Sequence, residues 1–342
     1  MTNMTRRHLL QGAAAGLLLP NMAFAAEEQV VVGTWGGDFG NILRAGVDEP
    51  LITPMGMTVV QDVGAPMQRR TKLLAERNAR RGSMDVACLA DFDIYAAQQM
   101  GALEEITTAN VPRTAQVLPF LKKTHSIPHI YSAHVIVYNT EKIKTPPAAF
   151  ADLWDPKYRG KVGFTDFLFT TNTTIAAIVG GGSPTNFEPA AGKLAELRDL
   201  DVKILPSTES LATALKSGDI WITVIAAARA FMWNQAGLPV AHAFPSEGGF
   251  PTLYEAAVPK NARNKDAGLK YVNAMLEPQA QLAFAQRMGY LPTVKDAKLP
   301  DDLNRAIAFT EKQQDNLLQL DYGYLQANQA KMLEMWNKTF KS

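Results

Sequence analysis

Cysteine is nearly absent: among 342 residues only Cys88 carries a thiol. One thiol excludes an internal disulfide framework and any Cys-rich zinc site. An excess of one charge is also missing. The 34 Lys and Arg side chains almost balance 33 Asp and Glu, so there is no basic field of the kind that holds nucleic acid. Long apolar runs are missing as well. The stretch Leu9–Leu19 is 11 residues with Gln11 inside it, too short to cross a bilayer, and no later segment is apolar enough to span one. There is no internal repeat, no low-complexity linker and no block of like charge. Hydrophobic residues make up 47% and charged residues 20%, a composition that supports packed cores and excludes a disordered chain. The length suggests about two domains.

Signatures of catalysis are lacking too. No G-x-S-x-G elbow and no H-E-x-x-H pair occurs. Gly180-Gly181-Gly182-Ser183 has no following Lys, which makes it a turn and not a phosphate loop. Gly33, Gly36, Gly37 and Gly40 do not have dinucleotide-site spacing. His125, His129 and His134 surround Pro128 in a strand-like segment, where three rings do not converge on a metal. An exported α/β hydrolase remains the rival class, but it has no activated nucleophile or metal set here. No cofactor and no metal are expected.

The amino terminus reads as an export signal over residues 1–25. Arg6-Arg7 precede the short apolar stretch, and Ala23-Phe24-Ala25 has the A-x-A form of a cleavage site. The order Thr5-Arg6-Arg7-His8-Leu9-Leu10 resembles a twin-arginine (Tat) signal; an ordinary Sec signal with two arginines is the alternative. No lipid-accepting cysteine follows. The mature chain, cut near Ala25, is expected to be soluble in the periplasm.

Strand-like and helix-like segments then alternate. Gln29–Val32, Met57–Val63 and Asp85–Leu89 read as strands. Between and after them lie helical patterns near Asn41–Val47, Met67–Arg80 and Ile94–Met100. On the second of these helices Leu73 and Leu74 face inward, and Arg69, Arg70, Lys72 and Arg77 outward. Ile130–Tyr138 is a further strand. Val162–Phe164, Val202–Leu205, Ile220–Ile225, Val240–Phe244 and Glu255–Val258 follow as strands. Ala190–Leu197, Leu211–Lys216 and Ala227–Gln235 read as helices. Two helices meet at Glu277-Pro278, where Pro suits a first turn. The tail Asp301–Trp336 reads as helical except at Tyr322-Gly323, with Met332, Leu333 and Trp336 packing. This order predicts an α/β fold with mostly parallel sheets.

Several blocks carry a resemblance. They include Trp35-Gly36-Gly37, Gly101-Ala102-Leu103-Glu104 and Val137-Tyr138-Asn139-Thr140. The most specific are Leu153–Val162 and Glu247-Gly248-Gly249. With them the chain resembles the extracellular solute-binding proteins of ABC transporters, in the spermidine/putrescine-binding-like group, from about Val30 to Trp336. The resemblance implies a type II periplasmic-binding fold: two α/β lobes, a hinge and a ligand cleft. Lobe 1 would be residues 28–131 plus 256–300, and lobe 2 residues 132–255 plus 301–342. It further implies a receptor that captures a small molecule by hinge closure and docks, as a monomer, on membrane permease subunits. A chemosensory receptor of the same fold is equally compatible.

In such a fold, ligands lie at the carboxyl ends of strands. That places Thr34, Trp35 and Gly36 at one edge, with Trp35 either a ligand contact or a core aromatic. Asp91 and Phe92 follow another strand, and Tyr131 lies where the chain crosses between lobes. The polyamine clamp of the family is mostly missing. Asp38 replaces an aromatic, the acids expected after Asp166 fall on Phe167 and Thr170, and the acid expected near Glu255 falls on Tyr254. Arg229 is a new cation. It is either a carboxylate anchor or a solvated helix charge. Thr170, Thr171 and Asn172 start a helix, as caps or as an anion site. The ligand implied carries a carboxylate or phosphonate and an amine, as an ω-amino acid does. Polyamine is the alternative.

Overall fold

The computed structural model describes residues 28–341, so the expected export signal lies outside the described residues. The first stretch alternates β1 (Glu28–Thr34), α1 (Gly37–Leu43), β2 (Met57–Val63), α2 (Pro66–Glu76), β3 (Val86–Ala90) and α3 (Asp91–Gln99). The helix α1 continues as a wider-turned π-helix over Arg44–Ile52, which contains Pro50. The long strand β4 (Ile127–Asn139) leads into β5 (Val162–Thr165), α4 (Phe169–Val179), α5 (Ala190–Asp199) and β6 (Lys203–Leu205). Next come α6 (Thr208–Ser217), β7 (Ile222–Ala226), α7 (Ala227–Gln235) and β8 (Val240–Ala243). The chain returns through β9 (Phe250–Ala257), α8 (Lys265–Met275), α9 (Pro278–Met288) and β10 (Leu291–Pro292), and ends in α10 (Asp301–Ile307), α11 (Glu311–Asp315) and α12 (Tyr322–Phe340).

All strands join one mixed sheet in the order β2-β1-β3-β9-β4-β7-β5-β6, with β8 and β10 also paired to β4. Pairing is parallel within each half, among β1, β2 and β3 and among β5, β6 and β7. The join between halves is antiparallel, through β3–β9, β4–β9 and β4–β7. Strand β4 makes the join. Its residues 127–134 pair with β9, and its residues 134–139 pair with β7 and β8. One large core gathers Val30, Leu43, Tyr271 and Phe284, and a second gathers Phe150, Phe164, Leu194 and Trp336.

The tail differs from the sequence expectation. It breaks after Ile307 and again after Asp315, and Tyr322-Gly323 open a helix instead of interrupting one. Capping chemistry explains the restarts. The Thr310 hydroxyl accepts from Gln313 N, and the Asp321 carboxylate accepts from Tyr324 N. The Glu247-Gly248-Gly249 block is fastened to the residues just ahead of the Leu153–Val162 block. The Glu247 carboxylate accepts from Phe150 N and Ala151 N at 2.9 and 3.0 Å. Gly248 has φ +111°, and a Cβ there would lie 2.4 Å from the Asn316 carbonyl oxygen, so only glycine fits.

Candidate functional site

A cavity of about 280 Å³ opens at the carboxyl end of β1, against the start of α7. Trp35 and Gly36 line it from the β1–α1 turn, Asp38 and Phe39 from the start of α1, Arg229 and Met232 from α7, Tyr254 from β9, and Met288 and Tyr290 from the end of α9 and the turn after it. Its aromatic wall is continuous. Trp35 meets Tyr254 edge-on at 5.1 Å and Phe39 at 4.6 Å, and Tyr254 meets Tyr290 at 5.5 Å. Such walls offer apolar area with polar tips.

Arg229 is the cation of this cavity. It is half-buried and sits in the first turn of α7, whose N-cap Ala226 offers no side-chain bond. A helix amino terminus carries partial positive charge, so a guanidinium there is electrostatically misplaced unless an anion joins both. Among the described residues no carboxylate lies within 4 Å of it. Its Nη1 donates to Met232 Sδ at 3.7 Å, and it acts on Glu209 only as a more distant charge. Asp38 is exposed at the rim.

Trp35, Gly36, Asp38, Arg229 and Tyr254 therefore come together as the sequence suggested. The others do not join them. Thr34 is fully buried, and its carbonyl accepts from Arg69. Glu255 follows Tyr254 in β9, and successive strand residues face opposite sides. Its carboxylate is buried on the far side, where it accepts from Ser126 Oγ and lies 3.6 Å from Lys123 Nζ. Burial pushes this carboxyl up to about 7. Asp91 and Tyr131 line a second cavity of about 190 Å³ with Lys123 and Tyr322. Asp91 accepts from the Tyr322 hydroxyl at 2.7 Å and from Phe92 N at 2.8 Å. Burial raises its pKa from the usual carboxylate range. Phe92 packs against the second core.

Asp166 is also diverted. It accepts from Trp336 Nε1 at 2.9 Å and Lys341 Nζ at 2.7 Å, which ties α12 down. Thr170, Thr171 and Asn172 fall in the first turns of α4. Thr171 and Asn172 are buried there, and the Thr170 carbonyl accepts from Thr174 Oγ1; none of the three lines either cavity. Tyr290, Phe39 and Met288 were missed from sequence. The signal for Tyr290 was its place after Gly289, which ends α9 at φ +69°. Of the histidines, His129 packs edge-on against Phe39 and Phe284, and His125 is half-buried beside Thr124.

Two α/β halves joined by crossing strands, with an aromatic cavity at the strand ends, define a two-lobe periplasmic-type binding protein. The model for the bacterial extracellular solute-binding proteins matches residues 56–311, and the chain belongs to that family. It is 25% identical over 219 residues to the spermidine/putrescine-binding periplasmic protein of Escherichia coli (strain K12). That match covers 61% of this chain and 63% of the relative, so it spans less than two thirds of the relative's length. Among solved structures, the Atu4243-GABA receptor aligns at TM-score 0.79 and 21% identity, covering 92% of this chain and 98% of the other. A spermidine/putrescine ABC transporter substrate-binding protein from Streptococcus pneumoniae aligns at TM-score 0.76 and 19% identity, covering 91% and 98%. These likenesses carry the fold.

Proposed function

We propose that this chain is the solute-capturing receptor of an ABC importer, a transport protein and not an enzyme. It is exported by the segment 1–25, works in the periplasm and presents its closed form to permease subunits. Residues 28–131 with 256–300 form one lobe and 132–255 with 301–342 the other, and they close on a small ligand. That ligand carries a carboxylate or phosphonate, and an amine in the manner of an ω-amino acid.

Arg229 carries the reading: a half-buried guanidinium at a helix amino terminus, without a carboxylate within 4 Å among the described residues, in an aromatic cavity. A ligand carboxylate supplies the missing anion, and the aromatic wall covers a short methylene chain. Asp38 at the rim is the partner for an ammonium. The names of the curated relatives favour polyamines, but a long dication needs anions at both ends. Asp91 and Glu255 are engaged elsewhere, and of these three acids Asp38 alone lines the cavity.

Calorimetric titration of the exported chain with 4-aminobutyrate, an aminoalkylphosphonate, a simple carboxylate and spermidine tests this. Acidic ligands are expected to bind, and Arg229→Ala is expected to weaken them by roughly a hundredfold or more. Spermidine binding without acid binding, or unchanged affinity in Arg229→Ala, sinks the proposal.

A further inference from the structure

Arg69 packs over the ring of Trp35. It leaves α2 and is 4% exposed. Its Nε donates to Cys88 O at 2.7 Å, and its Nη1 donates to Thr34 O at 2.6 Å and Gly64 O at 3.0 Å. One guanidinium thus ties the end of β1 to β3 and to the loop after β2. Its carbon stands 4.6 Å from the centre of the Trp35 ring, within cation–π range. Gly33 makes room for its stem, because a Cβ there would lie 2.7 Å from Arg69 Cδ.

An anion is what this site lacks. Among the described residues no carboxylate lies within 4 Å of Arg69. Asp62 and Asp93, whose charges reach it, are bonded to Lys72 at 2.8 Å and Arg70 at 2.7 Å. The Arg69 Nη2 is buried without a hydrogen-bond partner. A buried charge without a counter-ion is costly, and carbonyl dipoles offset only part of that cost. Its field is weakly screened by solvent and acts on the cavity that Trp35 lines.

We infer that Arg69 is a specificity-determining residue, whose buried, unpaired charge makes the Arg229 cavity select an acidic ligand over a neutral or cationic one. This rests on the reading of Arg229 as the carboxylate anchor. Arg69 does not touch the ligand; it acts across the indole.

The test compares 4-aminobutyrate with its primary amide by calorimetry, in wild type, Arg229→Ala, Arg69→Lys, Arg69→Gln and Arg69→Met. Two charge-free variants are made so that one with the wild-type circular dichroism spectrum suffices. The wild type is expected to prefer the acid, and Arg69→Lys to keep that preference. The charge-free variants are expected to reduce the preference about tenfold. A folded charge-free variant with the wild-type preference, or one that loses both ligands equally, overturns the inference. It leaves the Arg229 reading standing if Arg229→Ala has lost the acid. A wild type with no preference for the acid overturns both.

Discussion

At the scale of single residues, alternation along one strand decides what each acid can do. Tyr254 lines the cavity and Glu255, one position on, is 2% exposed on the opposite side. The family pattern alone could not separate them, because a shift of one residue changes the face. Arg69 was misread for a similar reason. Charge and helical spacing put it outward with Arg70 and Lys72, but Gly33 and three carbonyls give it a buried seat. That Trp35 and Arg229 would stand at strand ends was legible, since each follows a strand among small residues. Glu255 makes a pH prediction. Burial raises its native pKa from 4.5 to about 7, so between those values the native state binds more protons than the unfolded chain. Stability from this group falls as pH rises through that window and stays lower above it. Glu255→Gln removes the titration. Relative to wild type, the variant is expected to gain up to about 3 kcal/mol between pH 4.5 and pH 7.5, read by urea unfolding at each pH. A difference that stays flat across the window refutes the assignment.

At the scale of elements, most strands and helices were legible from periodicity, to within a few residues at their ends. Helix α7 and strand β2 match their expected bounds. The tail was less legible because side-chain caps and packing set its breaks, and these are tertiary facts. The helix α12 presses Leu325, Met332 and Trp336 into the second core, while Leu333 stays 39% exposed. Trp336 is fully buried beside Phe164 and Phe340 and donates to Asp166. This places Asp166 in the fastening of a helix and not in the cavity. Trp336→Ala is expected to cost about 3–5 kcal/mol of stability, measured by chemical unfolding. Asp166→Asn is expected to leave ligand affinity within about twofold and to lower stability modestly. A large affinity loss in Asp166→Asn with an unchanged unfolding midpoint would return this residue to the ligand site.

At the scale of the whole molecule, the question is where the two halves bend. The start of β4 is braced: Gln281 Nε2 donates to His129 O at 2.7 Å and Thr293 Oγ1 to Pro128 O at 2.6 Å, all buried. Further along, β4 changes partners, from β9 up to His134 to β7 and β8 beyond it. We propose that the halves bend near Ala133–Val135, where β4 passes from β9 to β7 and β8 within the one sheet. The tail is a further link. Tyr322 opens the helix that packs on the second half, and its hydroxyl bonds Asp91 on the first. Under the proposed function, a ligand held by both halves converts affinity into a change of shape. The radius of gyration in solution scattering is therefore expected to fall when 4-aminobutyrate saturates the wild type, and to stay constant for Arg229→Ala at the same concentration. At a hundredfold its dissociation constant the ligand adds about 2.7 kcal/mol of stability, a rise of several degrees in the unfolding midpoint. A midpoint that rises while the radius stays fixed would mean a ligand bound without closure, and a receptor whose partner reads something other than shape.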